Sequence, residues 1–529
     1  MNPCPLCGTA APQKDLAEAG FVSPEVERRV AMEHPGWRRA DGACPACVQQ
    51  ALLVLLLERG DAALHHTLQA VWPLDAEAAF GALPTPLRLH ADPRFQGRGV
   101  TLALVDAGFY PHPDLVEPGN RIRAVVDASR EPVEVWLFEA SERPRWPEWE
   151  AARPGQWHGL MTSTAAAGNG WLSHGLYRGL ASEAAVVLVQ VAGPNGRIGN
   201  DAIARSLIWL SEQGSQMGVR LVNVSLGGDP VSRLAGNAID EAVAALVARG
   251  ITVVAAAGND GRRQLVPPAT APGALTIGGL DDKNTFDHRE VALWHSNYGE
   301  TAGNAPKPEL VAPSLWVVAP VLPGTEVAGE ARDLFTRRAA GDPGVEERIR
   351  QTKLVTPYYQ HVEGTSFAAP LVASVVACML EANPDLTPRR VRELLLSAAQ
   401  SVPGAPAERQ GAGALDAGRA VTVALADRHS SNADYSHSPL VKGGAVRFLL
   451  HEHRAREVRV LGSWNGWQPP GLEASPLERG LWQARLGPLR PGSYAYKFLI
   501  DQRLWLADPA NPARVADNHG GFNSLVEIS

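Results

Sequence analysis

Four residues in this chain carry side chains that can together cleave an acyl bond: Asp106, His158, Asn259 and Ser366. A serine hydroxyl attacks a carbonyl only when a neighbouring base takes its proton. Histidine is suited to that role near neutral pH, and a carboxylate can fix its tautomer and orientation. Fixed hydrogen-bond donors must then stabilise the oxyanion. The chain offers these types in the order Asp, His, Ser, with an asparagine amide as a candidate oxyanion donor. Each residue also has a plain structural alternative. Asp106 and Asn259 suit turns, His158 suits a helix start beside glycine, and Ser366 suits a helix cap.

Chemistry of this kind requires elements that bring distant residues to one edge. Alternating apolar strands and helical patterns from about residue 90 to 426 predict an α/β fold, a parallel sheet with helices on both faces. Strands are expected at Val100–Val105, Ala185–Val191, Arg220–Val224, Thr252–Ala256 and Ala274–Ile277. Helices are expected at Asp201–Gln213, Ala235–Arg249, Ser366–Ala382 and Pro388–Ala399, the last opening with Thr387-Pro388 as cap and first residue. Asp106 would then sit at the C-terminal end of a parallel strand, where α/β sheets place their sites. Ser366 would open a helix, where the dipole and an unused backbone N–H favour an oxyanion. Residues 320 to 360 read as a charged, irregular surface insertion.

The bulk numbers frame this reading. The chain has 529 residues, of which 45% are hydrophobic and 20% charged, enough for about three soluble domains. A net charge of −7 argues against nucleic acid or an anionic membrane as a main partner. The start MNPCPLCGTA lacks a basic, apolar secretory pattern, and the run Ala51 to Leu57 is too short to span a bilayer. The expectation is a cytoplasmic protein.

The strings around the four residues are more telling than the residues alone. Gly364-Thr365-Ser366-Phe367-Ala368-Ala369-Pro370 resembles the nucleophile motif of the subtilisin-like (subtilase) serine peptidases. Asn223-Val224-Ser225-Leu226-Gly227-Gly228, the segment Lys307 to Pro313 and the segment Gly411 to Ala417 resemble further family segments in the same order. The resemblance, over about residues 90 to 426, implies a serine endopeptidase acting on peptide or protein. It assigns catalytic roles to Asp106, His158, Ser366 and Asn259, and substrate binding to Ser225, Leu226, Gly227, Ala256 and Gly258. Two departures stand out. The family's Asp-Ser/Thr-Gly is Asp106-Ala107-Gly108 here, and its His-Gly-Thr is His158-Gly159-Leu160. The lost hydroxyls leave open a weak or silent subtilase-fold adaptor.

Residues 1 to 85 carry two Cys-x-x-Cys pairs, Cys4/Cys7 and Cys44/Cys47. Four thiolates favour tetrahedral zinc, and a closed four-ligand site would be structural. Disulfides, redox-active thiols or free cysteines are the alternatives, and calcium cannot be read from the sequence. A helix is expected at Val48–Val71. Cys378 is expected in the core.

After a polar linker, 427 to 440, the chain becomes a run of short strands, as in a small β-sandwich. Expected strands are Ala445–Leu450, Glu457–Leu461, Leu481–Leu486 and Tyr494–Ile500. Trp464-Asn465-Gly466-Trp467, Tyr496-Lys497-Phe498, Trp505 and Asn523 resemble, in this order, the glycogen-binding module of the AMP-activated kinase β subunit and of isoamylase-type enzymes. That resemblance places Trp467, Lys497, Trp505 and Asn523 in an α-glucan site. Trp464, Trp482, Tyr496 and Phe498 are expected in the core.

Overall fold

The computed structural model describes the chain apart from residues 1, 7, 9, 12–23, 44–46, 48–50, 52–81, 147–148, 150–151, 174, 194, 231–236, 285–290, 302, 432–437, 453–454, 478–480, 512, 518–521 and 529. The described residues fall into two compact units, one dominated by residues 69–381 and the other by 421–529. The expected helix Val48–Val71 lies almost wholly outside the described residues.

The first unit is built on a nine-stranded sheet. Its strands are β1 Thr101–Asp106, β2 Ile122–Asp127, β3 Glu134–Leu137, β4 Ala185–Gln190, β5 Val219–Val224, β6 Thr252–Ala256, β7 Leu275–Asp281, β8 Ala292–Leu293 and β9 Leu310–Pro313. The order is β8-β7-β6-β5-β1-β4-β2-β3, with β9 also paired to β7. The central strands from β7 to β2 are parallel, and β3 and β8 run antiparallel to their neighbours. Such a sheet is covered on both faces, so its strands read as continuous apolar runs.

Alternation along β1 fixes the faces. Ala103 and Val105 join a buried cluster with Ile203, Leu207, Val243 and Leu246. Those four come from α2 Asn200–Gln213 and α3 Ala238–Ala248. Leu102, Leu104 and Asp106 therefore point to the other face. There α1 Trp157–Ala167 packs on β1.

Residues 320 to 360, read as charged and irregular, are ordered and belong to an excursion that runs from 314 to 364. Strands β10 Val317–Pro320 and β11 Tyr359–Val362 form an antiparallel hairpin. Between them stand α4 Glu326–Ala339 and α5 Glu346–Gln351. Ala328, Ala331, Leu334, Val345 and Ile349 bury one small core there. The charges occupy the outer faces of the two helices and conceal the helical period. The excursion closes on itself, because the Gly364 N–H donates to Ser314 O at 2.9 Å.

α6 Thr365–Ala382 follows, 18 residues long and apolar enough to cross a bilayer, yet 89% buried. α7 Pro388–Ala398 starts as expected, with the Thr387 side chain accepting from Arg390 N. A helix Ala417–Ser431 runs into the expected linker, since Asp427 and Arg428 continue a good helical sequence.

The second unit holds two antiparallel sheets. One comprises β12 Leu440–Lys442, β13 Ala445–His451, β16 Ser475–Pro476 and β17 Leu481–Leu486. The other comprises β14 Val458–Gly462, β15 Leu472–Glu473, β18 Gly492–Ile500, β19 Leu504–Leu506, β20 Arg514–Ala516 and β21 Phe522–Ile528. Phe448, Trp482, Tyr496, Phe498 and Val526 share one core, with Trp464 packed against it.

Candidate active site

Asp106 ends β1 with a carboxylate only 1% exposed. Its Oδ1 accepts from the Ala107 N–H and lies 2.7 Å from His158 Nδ1. Its Oδ2 accepts from Thr162 Oγ1 at 2.8 Å. His158 is the second residue of α1, and its side chain stays 22% exposed. Burial alone would lower its pKa. The charge of Asp106 and the hydrogen bond to it outweigh that, and the net shift is upward from 6.5.

The imidazole lies against the first turn of α6, its ring centroid 5.8 Å from that of Phe367. Ser366 is half-buried between the buried residues Thr365 and Phe367. Gly364 has φ +130°, and an added Cβ would lie 3.4 Å from Asn259 Nδ2. Asn259 is itself clamped. Its Oδ1 accepts from Thr365 N at 3.0 Å and from Thr365 Oγ1 at 2.8 Å. Gly258 N in turn reaches the Thr365 hydroxyl oxygen at 3.0 Å. With Oδ1 occupied, the Asn259 Nδ2 protons have no acceptor among the described residues. The Ser366 N–H, in the first turn of a helix, likewise has none. The arrangement holds two unused donors beside a hydroxyl, with a carboxylate-held imidazole close by.

The five expected substrate-binding residues lie at the ends of the adjacent strands β5 and β6. The Ser225 hydroxyl is fully buried and accepts from Asn223 Nδ2 at 2.8 Å, so its side chain faces inward. Leu226 and Ala256 are half-buried, and Gly227 is exposed. Gly258 holds φ +101°, and a Cβ there would strike Asn297 Nδ2 at 2.6 Å. Val266 packs so close that a Cβ on Gly227 would lie 2.7 Å from its Cγ2. Neither Thr162 nor Val266 was singled out from sequence. The signal for Thr162 was its place four residues after His158, one helical turn on.

Residues 97–413, more than half of the chain, match the profile of the subtilase family, Peptidase S8. The chain belongs to the subtilase family. Residues 447–529 of this subtilase match the profile of the glycogen recognition site of AMP-activated protein kinase. It is 29% identical over 342 residues to the serine protease AprX of Bacillus subtilis, covering 61% of this chain and 66% of that relative. It is 31% identical over 321 residues to a probable subtilase-type serine protease of Deinococcus radiodurans, covering 58% of this chain and 38% of that relative. The match thus spans no more than two thirds of either. With subtilisin BL of Lederbergia lenta it is 27% identical over 307 residues, covering 58% of this chain and 85% of the relative.

In the glycogen-recognition-type module of this subtilase, alternation sorts side chains between core and surface. Tyr496, Phe498 and Ile500 are in the core, so Lys497 and Leu499 lie on the other face of the sheet, where Leu499 is still buried and the Lys497 side chain is 15% exposed. Trp505 pairs with Leu499 and is 44% exposed. Asn523 precedes Ser524, which is buried opposite Tyr496, so Asn523 also faces outward. The Trp467 ring lies 6.1 Å from that of Trp505 at 57°. Lys497 is ion-paired with Asp517, a partner the sequence reading did not name.

Of the four N-terminal cysteines, Cys7 and Cys44 lie outside the described residues. Cys4 and Cys47 have their Sγ atoms 4.0 Å apart. Two thiolates on one tetrahedral zinc, with Zn–S about 2.3 Å, stand about 3.8 Å apart. The separation of Cys4 and Cys47 suits two ligands of one zinc, and the other two proposed ligands lie outside the described residues. Cys378 is buried in α6, as expected.

A raised imidazole pKa has a kinetic consequence. A reaction in which neutral His158 accepts a proton should gain rate with rising pH, through a midpoint above 6.5. Asp106→Asn removes the charge that opposes burial and should bring that midpoint down. The kcat/KM profile checks both. A wild-type midpoint at or below 6.5 would contradict the arrangement.

Proposed function

We propose that this subtilase is a serine endopeptidase that hydrolyses peptide bonds through an acyl-enzyme. The observation that carries the reading is the buried Asp106 carboxylate holding His158 beside the first turn of α6, where two unused N–H donors flank Ser366. Ser366 Oγ attacks the scissile carbonyl while its proton passes to His158 Nε2. Asp106 Oδ1 accepts from Nδ1–H and stabilises the imidazolium. The carbonyl electron pair moves onto oxygen, facing Asn259 Nδ2 and the Ser366 N–H. A donor of this kind is typically worth about 10²–10³ in turnover. Collapse of the adduct breaks the C–N bond, and His158 gives its proton to the leaving amine. Water then repeats the sequence and frees the acid. Ser225 to Gly227 and Ala256 to Gly258 bind the substrate chain. Their small, largely apolar character favours apolar side chains in a broad specificity.

Two accessory roles complete the proposal. The module binds α-glucan, with Trp467 and Trp505 offering faces to pyranose rings and Lys497 and Asn523 offering hydrogen bonds. Cys4, Cys7, Cys44 and Cys47 hold a structural zinc that folds the N-terminal segment.

A fluorophosphonate probe should label the wild-type chain and fail to label Ser366→Ala. Absence of labelling in folded wild type would favour the silent adaptor that Ala107 and Leu160 allow. Maltoheptaose should bind by titration calorimetry, and Trp505→Ala should lose at least about fivefold in affinity, taking a ring stacked on an aromatic face as worth roughly 1–3 kcal/mol, as for a stacked base. A wild-type chain that ignores the sugar would remove the glucan role. Elemental analysis should return one zinc per chain, lost in Cys4→Ser/Cys47→Ser. A metal-free protein two or four daltons lighter than its thiol form would instead show disulfides.

A further inference from the structure

The Asp106 carboxylate is 1% exposed, so its lone pairs must be met by protein. Oδ1 has two donors, Ala107 N at 2.7 Å and His158 Nδ1 at 2.7 Å. Oδ2 has one among the described residues, the Thr162 hydroxyl at 2.8 Å. Hydroxyls inside helices ordinarily donate back to a carbonyl three or four residues earlier. The next two residues do so. Ser163 donates to Leu160 O at 3.0 Å, and Thr164 to the same oxygen at 2.8 Å. Thr162 differs. Its own back-bonding carbonyl, Gly159 O, lies at 3.3 Å, while the charged acceptor is half an ångström nearer at 2.8 Å. A hydroxyl has one proton, and the carboxylate takes it.

Helix geometry makes the placement exact in direction. Thr162 follows His158 by four residues, so both side chains leave the same face of α1. The imidazole meets one carboxylate oxygen and the hydroxyl meets the other. The helix can come this near because Gly159 has no side chain: a Cβ there would lie 2.1 Å from Gly108 O. The positions after Asp106 and two after His158, Ala107 and Leu160, have no hydroxyl to offer.

We propose that Thr162 is the positioning residue of this site, its hydroxyl locking the plane of the Asp106 carboxylate so that Oδ1 stays aimed at His158 Nδ1. The inference rests on the endopeptidase reading for its kinetic consequence, and on geometry alone for its effect on His158. Asp106 is the ionisable group that bears on the imidazole, and the rings packed on it, Trp157 and Phe367, are uncharged.

The test compares the full-length wild type with Thr162→Val, Thr162→Ala and Thr162→Ser. Loss of the lock lets the carboxylate turn and weakens the Oδ1–Nδ1 bond that holds the imidazole up against burial, so the His158 titration midpoint, read by NMR on histidine-labelled protein, should move down in the valine and alanine variants. Their kcat should fall by about tenfold, the equivalent of one charge-assisted hydrogen bond, with KM within twofold of wild type. Thr162→Ser should restore both readouts. Should one hydroxyl-free variant fail to fold, the other decides. An unchanged or raised His158 midpoint in a folded hydroxyl-free variant overturns the proposal, even where melting temperature falls. Failure of the endopeptidase reading is separate: wild type would go unlabelled by fluorophosphonate, and the NMR midpoint would still uphold or overturn the role of Thr162.

Discussion

The Asp106 carboxylate sits out of water at the end of the strand that runs through the middle of the sheet, and most of the site is arranged to keep it there. A buried carboxylate is costly unless it is paired and hydrogen-bonded. Its donors come from two directions. The next peptide N–H at the strand end supplies one, and α1 supplies two from a single face. Sliding α1 along β1 would strip both helix donors together. The close approach of Gly159 to Gly108 O fixes the same register by sterics. The imidazole is thus aimed by a charge that cannot reach solvent, which is the physical reason it is both oriented and raised in pKa.

A second set of buried charges fixes the strand-edge segments that lead to Ser366. Arg88 and Asp282 form a bidentate pair, with 0% and 1% side-chain exposure. Arg88 also donates to Leu315 O and Trp316 O. One residue earlier, Ser314 O accepts from Gly364 N. A continuous path of hydrogen bonds therefore runs from the sheet edge to the loop before Ser366. Just before β9, Glu309 is shared by Lys307 and by Arg392 of α7, and Lys307 also donates to Ala274 O. Removing one partner of such buried pairs generally costs about 3–5 kcal/mol, mostly from the charge left behind. Their benefit here is geometric: each arginine or lysine spends its spare donors on backbone carbonyls and so indexes one segment against another.

The amino-acid sequence exposed this fold where apolar runs were unbroken. Thr252–Ala256 is a strand in both readings, and β1 differs from Val100–Val105 by one residue at each end. β2 escaped notice because Arg123 interrupts Ile122-Arg-Ala-Val-Val-Asp127, and a lone arginine disguises a strand that is buried on most positions. The 314–364 excursion was opaque for a different reason: its apolar residues, small alanines among them, make a core too local to produce a strong pattern. Asp106, His158, Asn259 and Ser366 were legible because their flanking glycines and small residues form long strings. Thr162 was not, since a threonine in a Thr-Ser-Thr run has no string of its own. Its spacing of four from His158 was the one signal, and its distance to Oδ2 separates it from neighbours that bond to backbone. Asp517 was hidden likewise, as its pairing with Lys497 crosses strands.

The module shows how a surface can keep chemistry apart from its core with one rule. Alternation on β18 sends Tyr496 and Phe498 inward and Lys497 outward, and the partner strands β19 and β21 repeat it for Trp505 and Asn523. Trp467 is placed by a costlier device. It holds φ +62°, directly after Gly466 at +61°. A left-handed conformation costs a residue with a Cβ roughly 1–2 kcal/mol. Its N–H donates to both Gly462 O and Asn465 Oδ1, each at 3.1 Å, and these bonds offset the strain. A core tryptophan would have no use for this turn. Here the indole lies 6.1 Å from that of Trp505 at 57°, and on the same face of the sheet the Lys497 ammonium is neutralised by Asp517. For the glucan role we propose, a neutral polyhydroxylated ligand suits this ion pair better than an anion does. It can use the remaining Lys497 donors without disturbing the ion pair, whereas an anion would have to compete with Asp517 for the charge.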